Sequence, residues 1–191
     1  MVREGRAAVV YRRHRHGLSV TRAKKYSRST PNLSFCAVTV SFKHDEFAPP
    51  TTTTFCSVYR SATSIPPQHS IDETAEWLRV TIADFADGSR SLVIGGDFNA
   101  CHPSWAGSLM PPRHDSRTAT GELIHQIVSG HPHARILNSP GAVTRRPFGN
   151  SPASDHIRPS AIDITVAVNA DWRWTSWVST VERLESDHHL I

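Results

Sequence analysis

The residues best suited to chemistry stand at the end of an apolar run over residues 92–94. Two glycines follow that run, and after them come Asp97, Phe98 and Asn99. Because residues two apart on an extended backbone point to the same side, Asp97 and Asn99 direct a carboxylate and an amide toward one point. This pair suits activation of a water molecule and binding of an oxyanion. Together with a second acid-plus-imidazole cluster at residues 186–189, it predicts a hydrolase of phosphate esters. Gly, Asp and Asn also favour plain turns, but a turn does not require an aromatic residue between two polar side chains at a strand end.

Two further clusters carry groups of the same chemical kind. Asp163 lies between two isoleucines, and a carboxylate in an apolar strand is costly to bury without a partner. His188 can donate a ring N–H to it, which would fix the imidazole tautomer, and a protonated His188 can stabilise a charged transition state. Asp187 can hold a hard divalent cation through oxygen. The alternatives are an edge strand with Asp163 in water and a polar tail at residues 186–189.

Length, charge and cysteine content limit the class of protein. The chain has 191 residues, 38% of them hydrophobic, and a formal net charge of +4, which predicts one domain and weakly favours a polyanionic partner. The three cysteines include no C-x-x-C pair, which argues against a disulfide framework or zinc ribbon and favours a reducing compartment, nuclear or cytoplasmic. No apolar run reaches the roughly 18 residues of a membrane span, so no membrane association is predicted.

Basic residues are concentrated in the first thirty positions, where Glu4 is the only acid among nine arginines and lysines. These residues could bind a phosphate backbone by charge alone. A solvated basic face explains them equally well. The basic residues are Arg3, Arg6, Arg12, Arg13, Arg15, Arg22, Lys24, Lys25 and Arg28.

The elements that must position these side chains are strands with helices between them. Ser70 and Glu73 form a predicted capping box, and apolar residues at helical spacing continue to the stop at residues 87–88. A second helix is predicted over about residues 118–128. The four threonines at 51–54 are interpreted as a loop. Strands are predicted at residues 7–11 with 18–20 as its hairpin partner, and at 35–42, 55–59, 92–94, 135–137, 161–166 and 174–178. This order indicates an α/β protein.

An ordered set of motifs resembles a known family. The chain resembles the endonuclease/exonuclease/phosphatase superfamily, and more narrowly the apurinic-endonuclease-like endonuclease domain of non-LTR (LINE-type) retrotransposons. The similarity is clearest over residues 55–191, within a single domain over 1–191 whose first thirty residues are poorly assigned. The motifs are G-G-D-F-N-A at 95–100, H-P-S-W at 102–105, G-E-L-I at 121–124, L-N at 137–138, T-R at 144–145, S-A-I-D-I-T at 160–165, W-V at 177–178 and S-D-H at 186–188.

The resemblance implies a fold, a reaction and a set of catalytic roles. The fold would be a four-layer α/β/β/α sandwich of the DNase I type, and the reaction a Mg²⁺-dependent (or Mn²⁺-dependent) nicking of DNA that primes reverse transcription. Asp97 is implied to orient or deprotonate the attacking water, and Asn99 to hold the scissile phosphate. Asp163 is implied to pair with His188, which contacts the phosphate, and Asp187 to help hold the metal. DNA is the implied partner, and a reverse transcriptase region normally shares the polypeptide.

Four more residues are expected at the substrate. Tyr59 stands where the family often has a tyrosine near the phosphate, and Ser160 and Ser186 lie within matched motifs. Trp105 could form a wall of the site or a platform that stacks on a base, although core packing is the commoner fate of a tryptophan.

One departure from the family pattern concerns the first strands. Neither the early Asn strand nor the metal-binding Glu segment of the family is found, and residues 5–20 resemble the strand that follows them. An N-terminally truncated and impaired enzyme is therefore expected, which an added upstream Asn/Glu segment should rescue. The alternatives are a catalytically dead nucleic-acid-binding remnant and a phosphatase of the same fold.

Overall fold

Strands and helices alternate along the chain, as the sequence predicts. The computed structural model describes residues 1–9, 18–43, 47, 49–62, 67–88, 90–110, 116–145 and 159–170. The strands among them are β1 (Val2–Glu4), β2 (Ala7–Val9), β3 (Leu18–Arg22), β4 (Arg28–Ser29), β5 (Leu33–Phe42), β6 (Thr51–Arg60), β7 (Ser91–Asp97), β8 (Ala134–Ile136) and β9 (Asp163–Val168). The α-helices are α1 (Pro67–Ala83), α2 (Pro103–Ala106) and α3 (Ser116–Ser129), with short 3₁₀ turns at Lys24–Tyr26 and Gly107–Leu109.

Seven of these strands form one mixed sheet. Its order is β3-β5-β6-β7-β9-β8, and β4 pairs with β5 outside this path. Only the β6–β7 pair is parallel among the described strands. A parallel pair needs a crossover connection, and α1 supplies it. The arrangement confirms the predicted α/β class and is consistent with a DNase I-like fold.

The two faces of the sheet are covered differently. On one face Phe35 of β5 meets Trp77 of α1, with ring centroids 4.7 Å apart, and the core continues through Val58, Leu78 and Ile94. On the other face the two-stranded hairpin of β1 and β2 packs against β5 and β6. The polar ends of β6, β7 and β9 face this second side. Among the described residues, no helix has the length and apolar character of a membrane span.

The predicted loop of threonines at residues 51–54 was wrong, because these residues form the first half of β6. Threonine is β-branched and favours strands when a partner strand is present. Thr54 lies 3.2 Å from the Thr39 hydroxyl, and Thr52 lies 3.3 Å from the Ser41 hydroxyl, oxygen to oxygen. The cross-strand pairs therefore explain an element that local composition concealed.

Two other local predictions were also wrong. Ser70 does not cap α1, because the helix begins at Pro67 and Ser70 lies buried inside it. Residues 18–20 do not pair with 7–9, since β3 pairs with β5 while β2 pairs with β1. The strand predicted at 174–178 lies outside the described residues. The other predicted strands and both long helices are present with shifted ends.

Candidate active site

Three of the predicted catalytic side chains lie in one row across the sheet. Tyr59 of β6 pairs with Asp97 of β7, and Asp97 pairs with Asp163 of β9. Residues paired across neighbouring strands are about 5 Å apart and point to the same face. Tyr59 and Asp97 are half-buried, and Asp163 is buried. The sheet register therefore brings together residues that are more than a hundred positions apart in the chain.

Asp97 is held by the residue two positions further on. The backbone N–H of Asn99 donates to Oδ1 of Asp97 at 2.8 Å, and Nδ2 of Asn99 donates to Oδ2 at 3.2 Å. The same Nδ2 donates to the backbone oxygen of Arg60 at 2.7 Å. Both amide hydrogens of Asn99 therefore have acceptors, and in this arrangement the side chain aims the Asp97 carboxylate.

Arg60 is a residue of this site that motif matching did not select. It is 2% exposed, and its guanidinium donates to the backbone oxygen of Phe98 at 2.6 Å and to that of Asn99 at 2.8 Å. It also donates to the Ser70 hydroxyl at 3.1 Å. Alternation along β6 could have signalled it, because Arg60 occupies an inward position in line with Cys56 and Val58. A buried arginine among apolar positions needs several acceptors.

The two glycines before Asp97 have different roles. Gly96 has φ +151, and a Cβ there would lie 2.0 Å from the backbone oxygen of Val58. A Cβ on Gly95 would meet only the Thr165 hydroxyl, at 3.8 Å. Gly96 is therefore required for the close approach of β6 to β7 beside the site, whereas Gly95 is not required on steric grounds.

Asp163 is positioned by two side chains from preceding loops. The Thr144 hydroxyl accepts the backbone N–H groups of Ile162 and Asp163 at 3.1 and 3.0 Å. Asn138 donates to the backbone oxygen of Asp163 at 2.9 Å and accepts from the N–H of Thr165 at 2.8 Å. These bonds give the L-N and T-R motifs a physical role, which is to fix the start of β9.

Two of the predicted substrate contacts, Trp105 and Ser160, are buried. Trp105 is 0% exposed and packs in the core, so its interpretation as a base-stacking platform was wrong. A ring at an apolar core position gains more from burial than from an exposed site. Ser160 is buried, and its hydroxyl has no hydrogen-bond partner among the described residues.

The imidazole of His102 holds the start of α2, which follows the site in the chain. His102 is the N-cap of α2, and its Nδ1 accepts the backbone N–H of Ser104 at 3.2 Å. Its Nε2 lies 3.3 Å from Oε2 of Glu122, and its ring stacks on His125 with centroids 4.0 Å apart. The pKa of His102 is lowered, mainly by burial and secondly by the charge of His125. Glu122 has the opposite effect and raises it.

The remaining predicted residues, Ser186, Asp187 and His188, lie outside the described residues. Within the described part of the chain, no group of three or more His, Cys, Asp and Glu side chains is arranged for a metal. Asp97 and Asp163 nevertheless place two carboxylates at facing positions, and carboxylate oxygens are the ligands that Mg²⁺ and Mn²⁺ prefer. The donor chemistry at this edge of the sheet fits a hard divalent cation.

Comparison with known families identifies the family of the chain. The sequence model of the endonuclease-reverse transcriptase family matches residues 53–191, and the chain therefore belongs to that family. The match makes this region an endonuclease-type nuclease domain of a retrotransposon. A comparison with curated proteins finds no match.

Proposed function

We propose that the chain is a metal-dependent phosphodiesterase that nicks DNA so that the new 3′ end primes reverse transcription. The observation that carries the proposal is the row of Tyr59, Asp97 and Asp163 on one face of three neighbouring strands. Membership of the endonuclease-reverse transcriptase family supports the reaction class. The row supplies a base, a hydroxyl and a second carboxylate within one edge of the sheet.

Asp97 is the proposed base for the attacking water. Its carboxylate direction is fixed by two bonds from Asn99, and a base must be held within hydrogen-bond reach of the proton it removes. The water loses its proton to Asp97 as its oxygen bonds to phosphorus. The bond from phosphorus to the 3′ oxygen breaks, and that oxygen takes up a proton from solvent water to become the 3′ hydroxyl that can serve as a primer.

Other residues are proposed to hold the phosphate. Tyr59 and Ser160 carry hydroxyls that can donate to phosphate oxygens, and the Ser160 hydroxyl has no other partner within the described chain. Ser186 is proposed to contact the substrate in the same way. Asp163 orients His188, which contacts the phosphate. Asn99 acts as a positioning residue, because both of its amide hydrogens already have acceptors.

Asp187 would help to hold Mg²⁺ or Mn²⁺. When bound, such an ion neutralises phosphate charge and stabilises the leaving oxygen. DNA is the substrate that this chemistry and the family membership favour.

Nicking of supercoiled plasmid by the purified full chain tests the proposal. We expect slow nicking in Mg²⁺ or Mn²⁺, because the family's metal-binding Glu segment is not found in the sequence, and no nicking in EDTA. The 3′ ends should be extended by an added DNA polymerase without phosphatase treatment. Plasmid binding without nicking, by a chain whose circular dichroism shows it folded, would instead support a non-catalytic nucleic-acid-binding role. Release of inorganic phosphate from monoesters without nicking would support a phosphatase of the same fold.

A further inference from the structure

We infer that Arg6, in the turn of the β1–β2 hairpin, is a phosphate-binding residue of the same site. The ligand would be a backbone phosphodiester of the nucleic acid, bound beside Tyr59. The inference rests on the proposed function in one respect only, namely that the substrate is a nucleic acid. It assigns to one arginine a role that the basic N-terminal region as a whole does not reveal.

The hairpin turn packs closely against two serines of the sheet. Gly5 has φ +55, and a Cβ there would lie 2.2 Å from the Ser29 hydroxyl and 2.5 Å from the Ser34 hydroxyl. Ser34 pairs with Tyr59 across β5 and β6. The turn therefore lies on the face of the sheet that carries the row. Ala7, the residue directly after Arg6, is buried and holds the turn in place.

Arg6 contacts both the ring and the hydroxyl of Tyr59. The guanidinium carbon lies 5.1 Å from the centroid of the Tyr59 ring, and Nη1 donates to the Tyr59 hydroxyl oxygen at 2.8 Å. Because that oxygen accepts from Arg6, the hydroxyl hydrogen of Tyr59 is available to another acceptor. Arg6 and Tyr59 thus present N–H and O–H donors side by side.

The charges around Arg6 favour binding of an anion. Arg6 is exposed, and among the described residues no carboxylate forms a salt bridge with it, whereas Arg22 on the neighbouring β3 pairs with Glu4. The row contributes the carboxylates of Asp97 and Asp163, which repel a phosphodiester. The Arg6 guanidinium, at the Tyr59 end of the row, offsets that repulsion, and its planar set of donors matches two oxygens of one phosphate.

The chain offers a matched control in Arg90. Its guanidinium also stacks on an aromatic ring, 4.7 Å from the centroid of Phe85, and it donates to the backbone oxygen of Asp84 at 2.7 Å. Arg90 is exposed like Arg6 but directly precedes β7, while Asp97 ends that strand. Replacement of either arginine by glutamine removes the same charge and a similar stacking contact. The two sites differ in position, because Arg6 lies near the Asp97 end of β7 and Arg90 lies at the opposite end.

The experiment measures binding of a short fluorescein-labelled DNA duplex by anisotropy, in EDTA so that cleavage is absent. We expect Arg6→Gln to weaken binding about tenfold at low salt and to reduce the slope of log K against log salt by about 0.9. Arg6→Lys should keep most of the slope, and Arg90→Gln should match the wild type in both. Equal salt slopes for the wild type, Arg6→Gln and Arg90→Gln would overturn the inference. An equal loss of duplex affinity in both glutamine variants would also overturn it.

A parallel plasmid assay separates this inference from the proposed function. A wild-type chain that binds the duplex through Arg6 but does not nick plasmid in Mg²⁺ would leave the phosphate contact standing and contradict the nuclease activity. If the wild type nicks plasmid in Mg²⁺ and Arg6→Gln nicks it with the same activity and salt dependence, the result would support the nuclease activity and contradict the phosphate contact. Thermal unfolding of each variant shows whether lost binding reflects a lost fold.

Discussion

Arg60 and Asn99 hold each other's backbone across the ends of two neighbouring strands. The Arg60 guanidinium donates to the backbone oxygen of Asn99 at 2.8 Å, and the Asn99 amide donates to the backbone oxygen of Arg60 at 2.7 Å. Asn99 has φ 45, in the left-handed region that few residues other than glycine adopt. The reciprocal bonds stabilise this conformation and aim the Asn99 side chain at Asp97.

Replacement of Arg60 by lysine should therefore damage both the fold and the reaction. Lysine keeps the charge but cannot reach the oxygens of Phe98, Asn99 and Ser70 together, and buried acceptors without donors cost about 1–3 kcal/mol each. We expect the free energy of unfolding to fall by about 3 kcal/mol, measured by urea titration. We expect kcat for nicking to fall about 100-fold with a smaller change in KM.

Arg79→Lys is the control for this substitution, because Arg79 is exposed on α1. It should leave stability and kcat unchanged. An Arg60→Lys chain with wild-type kcat would show that the bonds between Arg60 and Asn99 do not position Asp97.

The adjacent glycines should respond in opposite ways to alanine. Gly96→Ala places a Cβ against the backbone of Val58 at a positive φ, and we expect a loss of about 3 kcal/mol or more in the free energy of unfolding. A Cβ at Gly95 would meet only the Thr165 hydroxyl, at 3.8 Å, which is ordinary van der Waals contact. Gly95→Ala should therefore change stability by less than about 1 kcal/mol. Urea denaturation of the two variants measures both values, and similar losses would contradict the close approach of β6 and β7.

Stability should fall in mildly acidic solution because of His102. Its pKa is lowered in the folded chain, by burial and by His125, so the unfolded chain binds a proton at a higher pH than the folded chain does. The stabilisation is thus complete above the ordinary histidine pKa of about 6.5 and is lost as the pH falls below it toward the lowered folded value. Protonation of Nδ1 would also remove the acceptor that caps α2.

His102→Asn tests this effect, because asparagine is a good N-cap that does not titrate in this range. Urea midpoints measured from about pH 7.5 to 5.5 should fall less in this variant than in the wild type. His69→Asn, at an exposed position on α1, should keep the wild-type dependence. If the urea midpoint of His102→Asn fell with pH as steeply as that of the wild type, His102 would not be the source of the loss of stability in acid.

Local sequence patterns predicted the elements whose signals are themselves local. Alternation identified the strand around Phe35, and the run before Asp97 identified β7. The expected proximity of Asp97 and Asn99 is present in the two bonds between them. The expected extended backbone was wrong, because β7 ends at Asp97 and Asn99 has φ 45, so a turn brings the two side chains together. The roles of these residues in a reaction remain predictions.

Pairing between distant segments could not be predicted in the same way. The threonines of β6 have the composition of a loop until β5 supplies their partners. Ser70 matched a capping box, but it lies inside α1, where its hydroxyl accepts a bond from Arg60. Arg60 and Arg6 gain their roles only from contacts with Asn99 and Tyr59 that cross the fold.

Asp97→Asn most directly tests the central claim, which is that this carboxylate is the base of a nuclease. The measurement is single-turnover nicking of supercoiled plasmid in Mg²⁺, with Asp72→Asn, at an exposed position on α1, as the matched control. We predict that Asp97→Asn lowers the nicking rate at least about 100-fold while circular dichroism and duplex binding are retained, and that Asp72→Asn nicks like the wild type. Nicking by Asp97→Asn at the wild-type rate would contradict the account.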